Sequence, residues 1–170
     1  VAVHIDNFHL LGHLMGGYAT LAFTEKFPEV LKSITLFFSS PFTDDQEKKD
    51  QRQKSLRVIK EAFPAYVQAG IPNLFNPNEK DILEGKIEIA KKIALSTPTT
   101  GVLAAVKGMM ERTDKTAVLE SFAGKILIIA GKHDNAVKTD TVLNNLPEKT
   151  NIKSYLLDSG HNGHWEKPTI

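Results

Sequence analysis

The run Gly12-His13-Leu14-Met15-Gly16-Gly17 constrains what this chain can fold into more than any other stretch. Glycine has no Cβ, so closely spaced glycines let a backbone turn sharply and let neighbouring elements approach closely. Before the run, Phe8-His9-Leu10-Leu11 is a short apolar segment of the kind that forms a buried strand. After it, Tyr18 to Phe27 has helical spacing and stops at Pro28, which cannot continue a helix. The sequence therefore predicts a strand, a tight turn and a helix in direct succession, with Leu14 at the apex. The pattern is that of G-x-S-x-G, a turn that lifts a serine hydroxyl above a sheet, with leucine in the serine's place.

Further blocks follow in order: Glu25-Lys26-Phe27-Pro28-Glu29, then Leu127-Ile128-Ile129-Ala130-Gly131-Lys132-His133-Asp134, then Ser159-Gly160-His161. Together with the glycine run they resemble the α/β-hydrolase family over nearly the whole chain, in particular its esterase-like and lipase-like members with a helical cap. The resemblance implies an α/β fold class: a partial α/β-hydrolase fold, with the second half of a mostly parallel sheet and an inserted helical cap. It implies the nucleophile position at Leu14, the acid at Asp134, the base at His161 and one oxyanion-hole donor at Met15. In that chemistry a histidine takes the serine's proton, and a buried carboxylate fixes its tautomer and stabilises the imidazolium.

Leucine offers no lone pair and no proton, so it opens no route to an acyl-enzyme. A sequencing error, a spontaneous mutation, a deliberate inactivation or a lineage that has lost its nucleophile each accounts for Leu14. The implied parent activity is hydrolysis of a small ester or related acyl substrate, with no cofactor. The alternative is a non-catalytic pseudoenzyme that binds a small apolar ligand or a protein partner in its cap. Ester, lactone, amide and carbon–carbon diketone chemistry are all compatible with one triad on this fold.

The other histidines have plainer readings. His164 competes with His161 for the base, but His161 directly follows Ser159-Gly160 at a strand end, whereas His164 reads as the first turn of a helix entering Trp165-Glu166-Lys167. His13 reads as a structural residue of the turn, and His4 and His9 as surface or packing residues. Asp134 within His-Asp-Asn is also good turn chemistry. His133, Asp134, His161 and His164 together suggest a metal site by residue type. The expectation is nevertheless no metal, because the H-x-x-H pair lacks the i, i+4 spacing of a zinc hydrolase.

Strands are expected at Phe8 to Leu11, Ile34 to Ser39, Ile126 to Ala130 (in a strand-like run from Lys125) and Ile152 to Leu157. Residues 1–40 and 118–170 then form the partial hydrolase core, and residues 41–117 form the cap. Within the cap, Asp44 to Lys60 reads as a charged helix, its run from Asp44 to Asp50 a solvated face with mixed-sign support. Ile71 to Pro77 breaks the helices, which resume over Asn78 to Leu95 and Thr100 to Arg112. Phe42, Leu74, Phe75, Met109 and Met110 are candidates for a substrate pocket, although apolar residues at helical spacing also bury themselves without a ligand.

The chain has 170 residues, whereas the family resemblance implies a longer protein with several earlier strands. The expectation is a carboxyl-terminal portion, opening at Val1 in the tail of a helix and stopping at Ile170 as a last helix begins. A net charge of +1 with 24% charged residues gives no strong basic field for nucleic acid or an anionic membrane. No apolar run is long enough to span a bilayer. The absence of cysteine excludes disulfides and thiolate chemistry and fits a reducing, cytoplasmic compartment. The uncharged strand Phe8 to Leu11 is expected to expose an unpaired edge, a template for another chain. The expected outcome is self-association of the 170-residue chain, checked by light scattering at tens of micromolar; a stable monomer under those conditions would overturn it.

Overall fold

Four parallel strands carry the sheet: β1 (Phe8–His13), β2 (Leu31–Phe37), β3 (Lys125–Gly131) and β4 (Ile152–Leu157), in the order β1-β2-β3-β4. They are seen in a computed structural model that describes Ile5 and residues 7–169. The expectations for the opening at Val1, for His4 and for Ile170 lie outside the described residues. Register places Leu10 beside Ile34, Ile34 beside Ile126 and Ile126 beside Ile152, so one apolar row crosses the whole sheet. In the adjacent row Gly12 faces Leu36 and Leu36 faces Ile128.

Alternation along the strands puts these residues on one face. There Ile34, Leu36, Ile126 and Ile128 are almost fully buried against Leu21, Val118, Leu119, Phe122, Val137 and Val142. Those partners come from α1 (Met15–Lys26), α5 (Thr116–Ser121) with the residue after it, and α6 (Thr139–Asn144) with the loop before it. Burying each such side chain contributes about 1.5–3 kcal/mol. Lys149 and Asn151 tie the end of α5 to the start of β4: the Lys149 ammonium donates to the Leu119, Glu120 and Phe122 carbonyls, and the Asn151 amide to Phe122 and Gly124.

The remaining helices are α2 (Gln46–Gly70), α3 (Glu84–Ser96), α4 (Thr99–Glu111) and the short α7 (Gly163–Glu166). The chain divides by internal contacts into two units. One comprises Val1–Phe42, Asp114–Lys132 and Val137–Leu157, and the other Thr43–Thr113, His133–Ala136 and Asp158–Ile170. The second unit has its own apolar clusters. Leu56, Ile59 and Val106 join α2 to α4, and Phe75, Leu83 and Ile87 gather Ile71, Leu74, Ala90 and Trp165. Among the described residues, no helix is long and apolar enough to cross a membrane.

Several boundaries differ from the sequence expectation for local reasons. The first strand runs on to His13, and α1 begins at Met15 rather than Tyr18, so Gly16 and Gly17 are helical. The second strand begins earlier, at Leu31, and ends at Phe37. The second cap helix, α3, begins at Glu84 rather than Asn78. The Asn76 side chain accepts from the Asn78 N–H at 3.1 Å and starts a tight turn over Pro77–Glu79 instead. Helix α2 extends to Gly70 but is bent at Ala62 (φ −151°, ψ 56°), two residues before Pro64. Proline has no N–H to donate and crowds the preceding turn, which accounts for the bend.

Asp44 departs furthest from its expectation. It is buried rather than solvated, accepting from Arg52 Nε at 2.6 Å and paired with Arg112 Nη2 at 2.9 Å. Asp45, its neighbour, caps α2 by accepting from the Lys48 N–H at 2.7 Å. Burial opposes the charge on Asp44, but the hydrogen bond from Arg52 and the nearby Arg112 and Arg52 charges outweigh it and lower its pKa below the usual 3.8. A carboxyl with a depressed folded-state pKa contributes stability that is complete above 3.8 and lost as pH falls through the lower value. Asp44→Asn is therefore expected to destabilise the chain by about 3–5 kcal/mol near neutral pH, since two guanidinium groups lose a buried counter-charge. The difference between variant and parent should shrink on acidification below that range; denaturant titrations at both ends of the range check it.

Candidate active site

The turn between β1 and α1 is strained and tightly held. Leu14 has φ 49° and ψ −114°, a combination outside the regions open to residues with a Cβ. Such a conformation costs on the order of 1–3 kcal/mol and persists only when its surroundings impose it. Here the Leu14 N–H donates to the Phe37 carbonyl at 3.0 Å, and the Leu14 carbonyl accepts from the Gly17 N–H at 3.0 Å and the Ser39 hydroxyl at 2.7 Å. Two glycines make room. A Cβ on Gly12 would strike the Gly16 carbonyl and the Thr20 hydroxyl, and one on Gly17 would strike the Ser39 hydroxyl. Nothing lies near the corresponding point on Gly16, so Gly12 and Gly17 are the sterically required members of the run.

Met15 is the first residue of α1 and is about half exposed. Its N–H belongs to the first turn, where the helix itself supplies no acceptor. His13 packs its ring against Phe37 and Phe38, with centroids at 5.5 and 6.3 Å, which agrees with a structural role in the turn. His9 is exposed and bonds the Ser33 hydroxyl through Nδ1 at 2.7 Å.

Asp134 lies on the turn after β3, and His161 on the loop after β4. Asp134 Oδ1 accepts from the Ala136 N–H at 2.7 Å, which turns the other oxygen, Oδ2, to His161 Nδ1, also at 2.7 Å. Both side chains are only 1% exposed. An ionised carboxylate can only accept, so the proton between them is assigned to Nδ1, and a neutral ring then carries its lone pair on Nε2. The His161 N–H donates to the Leu74 carbonyl at 2.9 Å. In chemical terms this is an imidazole held in one tautomer by a buried acceptor, a group equipped to take up a proton at Nε2.

His164 is exposed and stacks edge-on against Trp165, with centroids 6.1 Å apart. Partial desolvation and the nearby His161 lower its pKa from 6.5, with Glu166 opposing. His133 instead faces Asp158 through Nε2 at 3.0 Å. Of the four residues that could have suggested a metal, Asp134 and His161 thus pair with each other, while His133 pairs with Asp158 outside the set. Among the described residues, no group of three or more His, Cys, Asp or Glu is arranged to hold an ion.

The apolar candidates fall in different places. Phe42 is half-buried against the core of the sheet unit. In the helical unit, Phe75 is fully buried beside Leu83 and Ile87, with Trp165 at a ring distance of 6.3 Å. Met109 and Met110 pack on the Leu56–Ile59–Val106 cluster. Leu74 lines a cavity of about 260 Å³ with Phe63, Tyr66, Val67, Ile71 and Val102. Sequence reasoning missed Ser39, which braces Leu14, and Glu166, a buried carboxylate in the His161 loop. Neither residue has a local pattern that sets it apart; both are defined by contacts distant in sequence.

No family model and no curated protein matches the sequence. Solved structures do match. An esterase from Thermogutta terrifontis is 27% identical with a TM-score of 0.83, over 96% of this chain and 61% of its own. An esterase from Exiguobacterium antarcticum (16%, TM-score 0.79) and an enol-lactonase from Burkholderia xenovorans (17%, TM-score 0.80) each align with 96% of this chain and with 63% and 62% of their own. The chain thus spans about three fifths of the length of these structures. The ordered parallel sheet, the strained turn after its first strand and the likeness to these enzymes agree: the chain has a partial α/β-hydrolase fold.

Proposed function

We propose that the chain descends from a serine-type hydrolase of a small ester or related acyl substrate, with Asp134 as the acid, His161 as the base and Met15 N–H as an oxyanion donor. Leu14 then occupies the nucleophile's position, and the chain as written does not run acyl transfer. The observation that carries this reading is the buried 2.7 Å contact of His161 Nδ1 with Asp134. A surface turn aspartate would have no reason to be desolvated against an imidazole. Leu14 supports it, since a strained backbone without a reactive side chain is what a substituted nucleophile leaves behind. With serine at position 14, Oγ would bond to the acyl carbon, its proton would pass to His161 Nε2, and His161 would return a proton to the leaving oxygen. Leucine can do neither step. A cytoplasmic setting belongs to the same proposal, on the lack of cysteine.

The test uses p-nitrophenyl esters and a fluorophosphonate probe. The chain is expected to hydrolyse the esters no faster than free imidazole, since losing a triad serine costs about a millionfold in turnover. Leu14→Ser should acquire fluorophosphonate labelling at position 14, and adding His161→Ala should abolish it. Its turnover should remain about a hundred- to a thousandfold below that of a two-donor oxyanion site, because Met15 supplies one donor. Burst kinetics by the unchanged chain, or labelling of Leu14→Ser that ignores His161, would overturn the reading.

A second reading, a non-catalytic binder of a small apolar ligand, is favoured by the cavity of about 260 Å³ beside Leu74 in the helical unit. That volume suits a ligand of one ring or a short acyl chain. Trp165, the only tryptophan, packs in the same cluster as Leu74 and so serves as a reporter. Toluene is expected to change Trp165 fluorescence saturably, and Ala94→Phe, which fills the cavity, should remove the effect. A linear, non-saturating response in both proteins would exclude the site.

A further inference from the structure

Gly160 and Asn162, the residues on either side of His161, donate their N–H groups to one carboxylate. Glu166 Oε2 accepts from the Gly160 N–H at 2.8 Å, and Oε1 from the Asn162 N–H at 3.2 Å. Oε2 also accepts from the Asn76 N–H at 3.1 Å, so the same group ties the loop to the Phe75–Asn76 segment. The intervening amide, that of His161, is taken by the Leu74 carbonyl at 2.9 Å. Three consecutive N–H groups are thereby fixed, two by a single buried carboxylate that is 7% exposed as a residue. Gly160 lies so close to this segment that a Cβ would run into the Phe75 and Asn76 backbone, and it would also approach Glu166 Oε1.

From this arrangement we infer that Glu166 is the positioning residue of His161. With the amides before and after the histidine held, the backbone direction of His161 is set, and the ring needs only its side-chain torsions to keep Nδ1 on Asp134 at 2.7 Å. Hydrogen bonds to an ionised acceptor are shorter and about twice as strong as neutral ones, which suits a clamp. The buried carboxylate in turn needs these donors, since burying a charge without partners is costly. The clamp's functional meaning rests on the reading of His161 as a base; the claim that Glu166 fixes the imidazole does not.

Glu166→Gln separates the possibilities because it preserves shape but replaces one acceptor oxygen by an NH2 group. If the remaining oxygen serves Asn76 and Gly160, the NH2 group faces the Asn162 N–H, donor against donor. The experiment is NMR on the 170-residue chain, reading the downfield Nδ1 proton of His161 and the exchange of the Gly160 and Asn162 amides. In folded Glu166→Gln the Nδ1 resonance should move upfield or broaden. At least one of the two amides should exchange about tenfold faster or more, a loss comparable to one charge-assisted hydrogen bond. Amides of α4, remote in sequence, should keep their protection. Should Glu166→Gln fail to fold, Glu166→Asp, which keeps the charge but shortens the reach, is read in the same way. A folded variant with a lower melting temperature but an unchanged Nδ1 resonance would overturn the proposal and leave Glu166 a stabiliser only. Because no turnover is read, this result is independent of whether Leu14→Ser reacts with a fluorophosphonate.

Discussion

Because Leu10, Ile34, Ile126 and Ile152 stand in one row across four parallel strands, the carboxyl ends of those strands are kept in step. Slipping any strand by one residue would turn its apolar side chains to the opposite face. The turns that leave the strands are anchored to the same ladder: Leu14 N–H bonds Phe37 O, Phe38 N–H bonds Ile129 O, and Lys132 N–H bonds Leu157 O. Open α/β sheets place their sites beyond the carboxyl ends of the strands for this reason: rigid pairing fixes where each loop departs. Residue 14 and the segment leading to Asp134 both inherit their starting positions from apolar packing that has no chemistry of its own.

The turn at Leu14 keeps a backbone conformation that its own side chain does not favour. A leucine gains nothing from φ 49°. It is held there by Phe37, Ser39 and the pinched glycines at positions 12 and 17, all of which would need to change together for the turn to relax. Local rules broken without local benefit are characteristic of sites shaped by function.

The third strand was legible because it holds a continuous apolar run, as parallel strands covered on both faces tend to do, whereas β2 and β4 are interrupted by polar residues. Ile126-Leu127-Ile128-Ile129 is that run, and β4 matches its expected bounds. The Asn76-Pro77 turn was harder to read, because helical spacing after Asn78 looks the same whether or not a side chain has already diverted the backbone. Asp44 was misread for a related reason. Its charged run looks solvated in one dimension, and only the return of Arg112 after three helices supplies the second guanidinium that pairs with it. The family resemblance singled out Asp134 and His161 by order along the chain, but not the carboxylate of Glu166, which becomes conspicuous only once three amides are seen to converge on it.

The division of the chain puts residue 14 in one unit and both Asp134 and His161 in the other, where Leu74, Ala136 and Glu166 brace the loops that carry them. The contact between Asp134 and His161 is therefore held by packing within its own unit, whatever side chain stands at position 14. A change of side chain at residue 14 leaves the bonds of the buried pair untouched, whereas removing either partner would leave the other desolvated and unmatched.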